Sequence, residues 1–210
     1  NGNHHYGLGS TVDDDYNDGV QVPQVHLSYY NGTDSTGKLQ YSYFNDVGLW
    51  ETTVIDDSST KTGLYSDIEL DGAGYPHISY YDYTNSKIKY AKYDGSAWII
   101  SVVASVGSSS SHTSIELDNL DRAIIAYRDS STGNLEMASW DGTDWIIATQ
   151  DDAGTGINDN SGVELIFHSD GRNYLAFYDG ENDNLEFVEA GYYSPVLMGN
   201  SEYDRRGTLL

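Results

Sequence analysis

Trp50, Trp98 and Trp145 recur at intervals of 48 and 47 residues, and each opens a short run rich in β-prone side chains. Self-similarity at about 40–50 residues belongs to propeller blades and other repeat architectures, so this spacing constrains the fold more than composition can. One unit reads Ser66-Asp67-Ile68-Glu69-Leu70-Asp71, then Pro76-His77-Ile78-Ser79-Tyr80-Tyr81-Asp82, then Lys87 to Gly95, then Trp98 to Val103. The next unit answers with Ser114-Ile115-Glu116-Leu117-Asp118, Ala123 to Asp129, Asn134 to Gly142 and Trp145 to Thr149. A first copy is legible in Val25 to Asn31, Lys38 to Tyr43 and Trp50 to Ile55, and a fourth in Val163 to Leu165, Tyr174 to Asp179 and Asn184 to Phe187.

Within each copy, four runs of Ile, Val, Tyr and Trp are separated by Gly, Asn, Asp and Ser turns, the pattern of an antiparallel meander. A lone meander leaves an apolar face uncovered, so the copies must pack on one another. The expectation is an all-β, single-domain, four-bladed β-propeller, with blades at approximately 10–57, 64–105, 112–152 and 161–200 and tails at 1–9 and 201–210. A partial propeller that closes by pairing chains is the alternative. Ser194 to Met198 would supply the outer strand of the last blade.

The copies resemble bacterial secreted propeller repeats with blades of the "PHISYYD … LKYA … DG..W" kind, over roughly residues 10 to 190. That resemblance implies the architecture and very little about activity. Sialidase-type propellers carry Ser-x-Asp-x-Gly-x-Thr-Trp between the third and fourth strands of a blade. Here Asp94 to Trp98 and Asp141 to Trp145 occupy that place but are too short to match. A hemopexin-type propeller has a similar size, but its closing cystine is excluded because the chain has no Cys.

Ten basic residues face 33 acidic ones, a net charge of −23, so phosphate backbones and anionic headgroups are poor partners. No apolar run approaches the length of about 20 residues that spans a bilayer as a helix. An extracellular or cell-surface location is expected from the scarcity of Lys and the Tyr, Ser, Asn, Asp, Gly and Thr bias. Asn1 in place of Met fits a trimmed signal peptide and equally an arbitrary start.

Glu69, Glu116 and Glu164 take the same place in the innermost strand by sequence, with Asp13 as their counterpart in the first copy. Side chains converging there would need a cation, Ca²⁺ or Na⁺, or proton uptake to relieve their repulsion. The plainer reading is that they cap backbone N–H groups. Asp13, Asp15 and Asn17 also set oxygens at alternate positions before Gly19, as in acidic calcium loops, although the Gly comes one place late for an EF-hand. Asn31, Asp82, Asp129 and Asp179 end the second strand of each copy, where Asx turns explain them.

No His-x-x-x-His spacing supports zinc, no Gly-x-Ser-x-Gly supports a serine nucleophile, and abundant acids make carboxylate pairs uninformative. Arg128 replaces the Tyr30, Tyr81 and Tyr178 of the other copies. With Tyr75 and Tyr83 in turns, it is a ligand candidate. Tyr203, Arg205, Arg206, Leu209 and Leu210 form a basic and apolar tail that could link subunits. Three functions follow in order of preference: a non-enzymatic structural subunit that self-assembles into a homo-oligomer or polymer, a lectin-like glycan-binding module, and a glycan-acting enzyme.

Overall fold

The structure, a computed structural model, describes residues 8–13, 24–33, 35–45, 47–109, 111–151, 162–168, 170–179 and 184–190. The first sheet is β1 (Leu8–Asp13), β2 (Gln24–Gly32), β3 (Gly37–Phe44) and β4 (Trp50–Asp56); the second is β5 (Thr62–Leu70), β6 (Pro76–Asp82), β7 (Lys87–Tyr93) and β8 (Trp98–Ser105). The third holds β9 (Thr113–Leu117), β10 (Ala123–Arg128), β11 (Leu135–Trp140) and β12 (Trp145–Asp151), and the fourth β13 (Val163–Phe167), β14 (Asn173–Asp179) and β15 (Asn184–Ala190). Each sheet is an antiparallel meander in chain order. The predicted outer strand at Ser194 to Met198 lies outside the described residues.

Asx side chains close the turns. Asp94 Oδ1 accepts the N–H groups of Ser96 and Ala97, each at 2.8 Å, and Asp141 Oδ1 those of Thr143 and Asp144 at 2.7 and 2.8 Å. Gly95 and Gly142 follow with φ of 92° and 108°, a region that other residues enter only with strain.

Three cores lie between successive sheets. Leu39, Tyr41 and Ile55 meet Ile68, Ile78 and Tyr80. Tyr81 and Ile88 meet Ile115, Ile125 and Tyr127. Ile124, Leu135 and Met137 meet Val163, Leu165, Leu175 and Phe177. Strands β6 and β10 are buried along their whole length, because neighbours cover both faces. The inner strands pack in series, β1 on β5, β5 on β9 and β9 on β13. Among the described residues the series does not close, for the fourth sheet is not packed on the first. The expected four-bladed ring is therefore an open run of blades. Repeat number counts the blades in a chain, whereas curvature is set by the wedge of side chains between sheets.

Strand register also corrects the predicted equivalence of carboxylates. Glu69 pairs with His77 and Glu116 with Ile124, and the matching position of the fourth sheet, opposite Tyr174, is Ile166. Glu164 instead lies opposite Ala176, level with Asp67 and Ser114. In the first sheet the position of Glu69 is held by Thr11, opposite His26, and Asp13 lies two residues on. The shared Glu-Leu dipeptide had aligned the fourth copy two residues out of phase.

Candidate functional site

Side chains on the inner strands tie each blade to the next. Asp67 Oδ2 accepts the N–H of Ile115 at 2.9 Å and the hydroxyl of Ser114 at 3.2 Å. Ser114, level with Asp67, accepts the N–H of Leu165 at 3.0 Å. At the same level in the first sheet stands Gly9, whose Cβ would lie 2.6 Å from the Asp67 backbone. With no side chain arriving from Gly9, the Ile68 N–H is satisfied by Asp67 Oδ1 at 2.9 Å.

The predicted carboxylates do gather here. Burial pushes the Glu116 carboxyl up to about 7, reinforced by the charges of Glu69, Asp67 and Glu164. Burial likewise raises Glu69, Glu164 and Asp67. Among the described residues no three carboxylate or imidazole side chains are placed to hold one metal ion. Proton uptake on Glu116 is one way of relieving the repulsion, and a bound cation is the other. The side chain of Asp13, and Asp15 and Asn17 altogether, lie outside the described residues, as do Tyr203, Arg205, Arg206, Leu209 and Leu210.

Aromatic side chains pack between blades, where His26, Tyr41 and His77 are buried and Trp98 and Trp145 are half-buried. In the first cluster, the Tyr41 hydroxyl lies 2.6 Å from His26 Nδ1, and Trp98 of the next blade packs edge-on against Tyr41 at 5.3 Å. Tyr43 stacks on both His26 and Tyr41 at 6.1 and 5.9 Å, and its hydroxyl donates to Glu51 at 2.9 Å. Asn45 donates to the other Glu51 oxygen at 2.7 Å, and these two bonds hold the carboxyl below its ordinary range. Tyr93 and half-exposed Tyr75 extend the row, with Tyr93–Trp98 at 5.6 Å and Tyr75–Tyr93 at 5.8 Å.

The second cluster repeats the plan. Tyr90 lies 2.6 Å from His77 Nδ1, Trp145 packs edge-on against Tyr90 at 5.3 Å, and Trp140 lies 5.3 Å from Trp145. His77 Nε2 faces Asp71 at 3.4 Å, so a hydrogen on Nε2 lets Nδ1 accept from Tyr90. Burial, then the charge of Lys92, lowers the His77 pKa and keeps the ring neutral. Asp121 crosses from the third blade to accept the Gly72 N–H at 3.0 Å. Between the third and fourth blades Ile124 and Met137 stand where the His and Tyr were, and both are buried.

Of the single ligand candidates, Tyr75 belongs to the first aromatic row, whereas Tyr83 lies at the opposite end of its sheet. There the Lys61 ammonium sits 4.5 Å from the Tyr83 ring centroid. Arg128 is buried at the end of β10 and offers no open surface to a ligand.

Sequence reading missed a buried ionic network between the first two blades. Lys89 Nζ donates to Asp56 at 2.7 Å and Ser58 at 2.9 Å and lies 3.2 Å from Asp82, while the Tyr80 hydroxyl donates to Asp56 at 2.8 Å. Burial alone would raise the Asp56 carboxyl, but Lys89, Ser58 and Tyr80 together bring it down to about 2. Every strong group there has a partner, so the network holds blades together. Its signal in the sequence was a Lys at an inward position of a strand.

No family model and no curated protein sequence matches the chain. Solved structures do. A lectin from Aleuria aurantia, an N224Q mutant in complex with Fucα1-6GlcNAc, superposes with a TM-score of 0.66 at 14% identity, over 87% of this chain and 57% of the lectin. A fungal lectin structure described as a six-bladed β-propeller with a novel fucose recognition mode for the same Aleuria aurantia lectin gives 0.64 at 14%, over 90% of this chain and 61% of that one. The fold is that of propeller blades. A Hadza microbial sialidase, Hz136, gives 0.54 at 13% identity, over 88% of this chain and 43% of the sialidase. The chain spans less than two thirds of the length of each of these structures.

Proposed function

We propose that this chain is a lectin-like carbohydrate-binding module without catalysis, acting outside the cell and holding sugar against the half-buried tryptophans of two aromatic clusters, where a buried His–Tyr pair meets the tryptophan of the next blade. The observation that carries the reading is the repetition of that cluster, His26–Tyr41–Trp98 and His77–Tyr90–Trp145, at matching positions of successive blades. Aromatic faces take up the C–H surface of a pyranose, while Glu51, Asn45, Lys92 and Asp71 around the clusters offer hydrogen bonds to hydroxyl groups. The scaffold is shared with structures described as fucose-binding lectins. A net charge of −23 favours neutral glycans over sialylated or sulfated ones.

Two like sites on a rigid scaffold raise avidity for clustered glycans even when each binds weakly. The test is a glycan array carrying fucosylated, other neutral and anionic panels. Binding confined to neutral glycans, and lost when both Trp98 and Trp145 are changed to Ala, is the expected result. An empty array, or binding indifferent to both tryptophans, refutes the proposal. The preferred expectation from sequence, an assembling subunit linked through its tail, draws no support from these comparisons, and the tail lies outside the described residues.

A further inference from the structure

The inner-facing positions of the third strand in each blade carry Leu39, Ile88, Leu135 and Leu185, opposite Tyr30, Tyr81, Arg128 and Tyr178. The first three are at most 1% exposed, because the following blade covers them; Leu185 is 76% exposed. Two residues on, Tyr41 and Met137 are 8% and 3% exposed, whereas Phe187 is 64% exposed and stacks only on Tyr174 of its own blade among the ring contacts described, at 5.4 Å. Ile166 extends the same uncovered face, half exposed. The trailing face of the fourth blade thus has the apolar character of an inter-blade core and, among the described residues, no blade upon it.

The leading face of the first blade is the opposite half of that interface. Trp98 and Trp145 each lean back onto a ring of the preceding blade, Tyr41 and Tyr90. Trp50 holds the same position in the first blade, pairs with Phe44 at 5.4 Å, and is 51% exposed. The inner strands show the same unfinished series. Asp67 accepts from Ile115 and Ser114 from Leu165, and Glu164 is the next member at that level, while the position of Ile115 and Leu165 in the first blade is Ser10.

We infer that the trailing face of the fourth blade docks on the leading face of the first blade of a second copy, with Trp50 of the second copy over Phe187 and Leu185 and its Ser10 N–H donating to Glu164. The pairing of faces argues for this occupant: it is built three times within the chain, and among the described residues the two halves left over are one trailing and one leading face. Ser10, exposed where Ile68, Ile115 and Leu165 are buried, makes the leading face less apolar than the internal ones, so the contact is reversible. It is also heterologous, so it continues from copy to copy until curvature closes a ring or leaves a filament. Repulsion between chains of charge −23 opposes it, and salt favours it by screening.

The test is sedimentation velocity on the 210-residue chain over a concentration series at low and moderate salt, with Phe187→Asp and Trp50→Asp. Both substitutions fall on exposed side chains, and far-ultraviolet circular dichroism checks that the fold is kept. The wild type should associate in a salt-promoted manner, and each variant alone should lose at least about tenfold in association constant. An equimolar mixture of the two variants should stop at a 1:1 dimer, since Trp50→Asp keeps the trailing face and Phe187→Asp the leading one. A wild type that stays monomeric throughout, or association untouched by both substitutions, overturns the inference. Either result leaves the glycan reading to its own test.

Discussion

The carboxylate of Asp67 on β5 accepts the backbone N–H of Ile115 on β9 at 2.9 Å, so one side chain joins the inner strands of two successive blades. The contact is buried, and the donor has no ladder partner on that side. Asp67→Ala leaves that N–H without its acceptor, at a cost of about 1–3 kcal/mol. Asp67→Asn, which keeps an acceptor oxygen, should lose less. Urea unfolding of both variants checks the order, and equal losses would show that the bond to Ile115 is not what Asp67 contributes.

The contribution of Glu116 to stability should fall as pH rises from mildly acidic to neutral. In the folded chain Glu116 titrates at about 7 against an ordinary 4.5, so the native state holds more protons than the unfolded state across that interval. Its contribution is complete below pH 4.5, declines through pH 7 and is flat above. Asp56, lowered to about 2 from 3.8, acts with the opposite sign and removes stability as pH drops below 3.8. His112, lowered by burial to about 4 from 6.5, acts with the opposite sign to Glu116 between those values, so the Glu116 limb is read as the difference between wild type and variant. Glu116→Gln should flatten the upper limb and raise stability at pH 8 by about 1–2 kcal/mol, read from thermal unfolding against pH. An unchanged pH profile in that variant would contradict the assignment.

Lys89 is the cation of the network that Asp56 and Asp82 complete between the first two blades. Its removal leaves two buried carboxylates facing each other. Lys89→Met should cost about 3–5 kcal/mol near neutral pH, the range for a buried pair broken on one side. The loss should shrink in acid as the carboxylates protonate. Denaturant midpoints at two pH values test both statements.

The meanders were legible because turn chemistry and alternation are local, and the tryptophan spacing marked the strand pairs Phe44–Trp50, Tyr93–Trp98 and Trp140–Trp145. Closure was not legible, since it depends on the wedge angle between sheets, a sum of packing contacts far apart in sequence. Register was misread at Glu164, where a shared dipeptide outweighed the turn that fixes the pairing; the bond from His168 N to the Arg172 carbonyl matches that from Asp118 N to the Arg122 carbonyl. The aromatic clusters escaped notice because each is made by residues from two copies. His26, Tyr41 and Trp98 look like strand packing until the neighbouring blade brings them together.

The most direct test of the account is isothermal titration of the chain with the neutral glycan that gives the strongest array signal, comparing the wild type with Trp98→Ala, Trp145→Ala and the double variant. Two sites per chain, one after either substitution and none after both, is the predicted outcome. Stoichiometry and affinity unchanged in the double variant would place binding elsewhere and contradict the account.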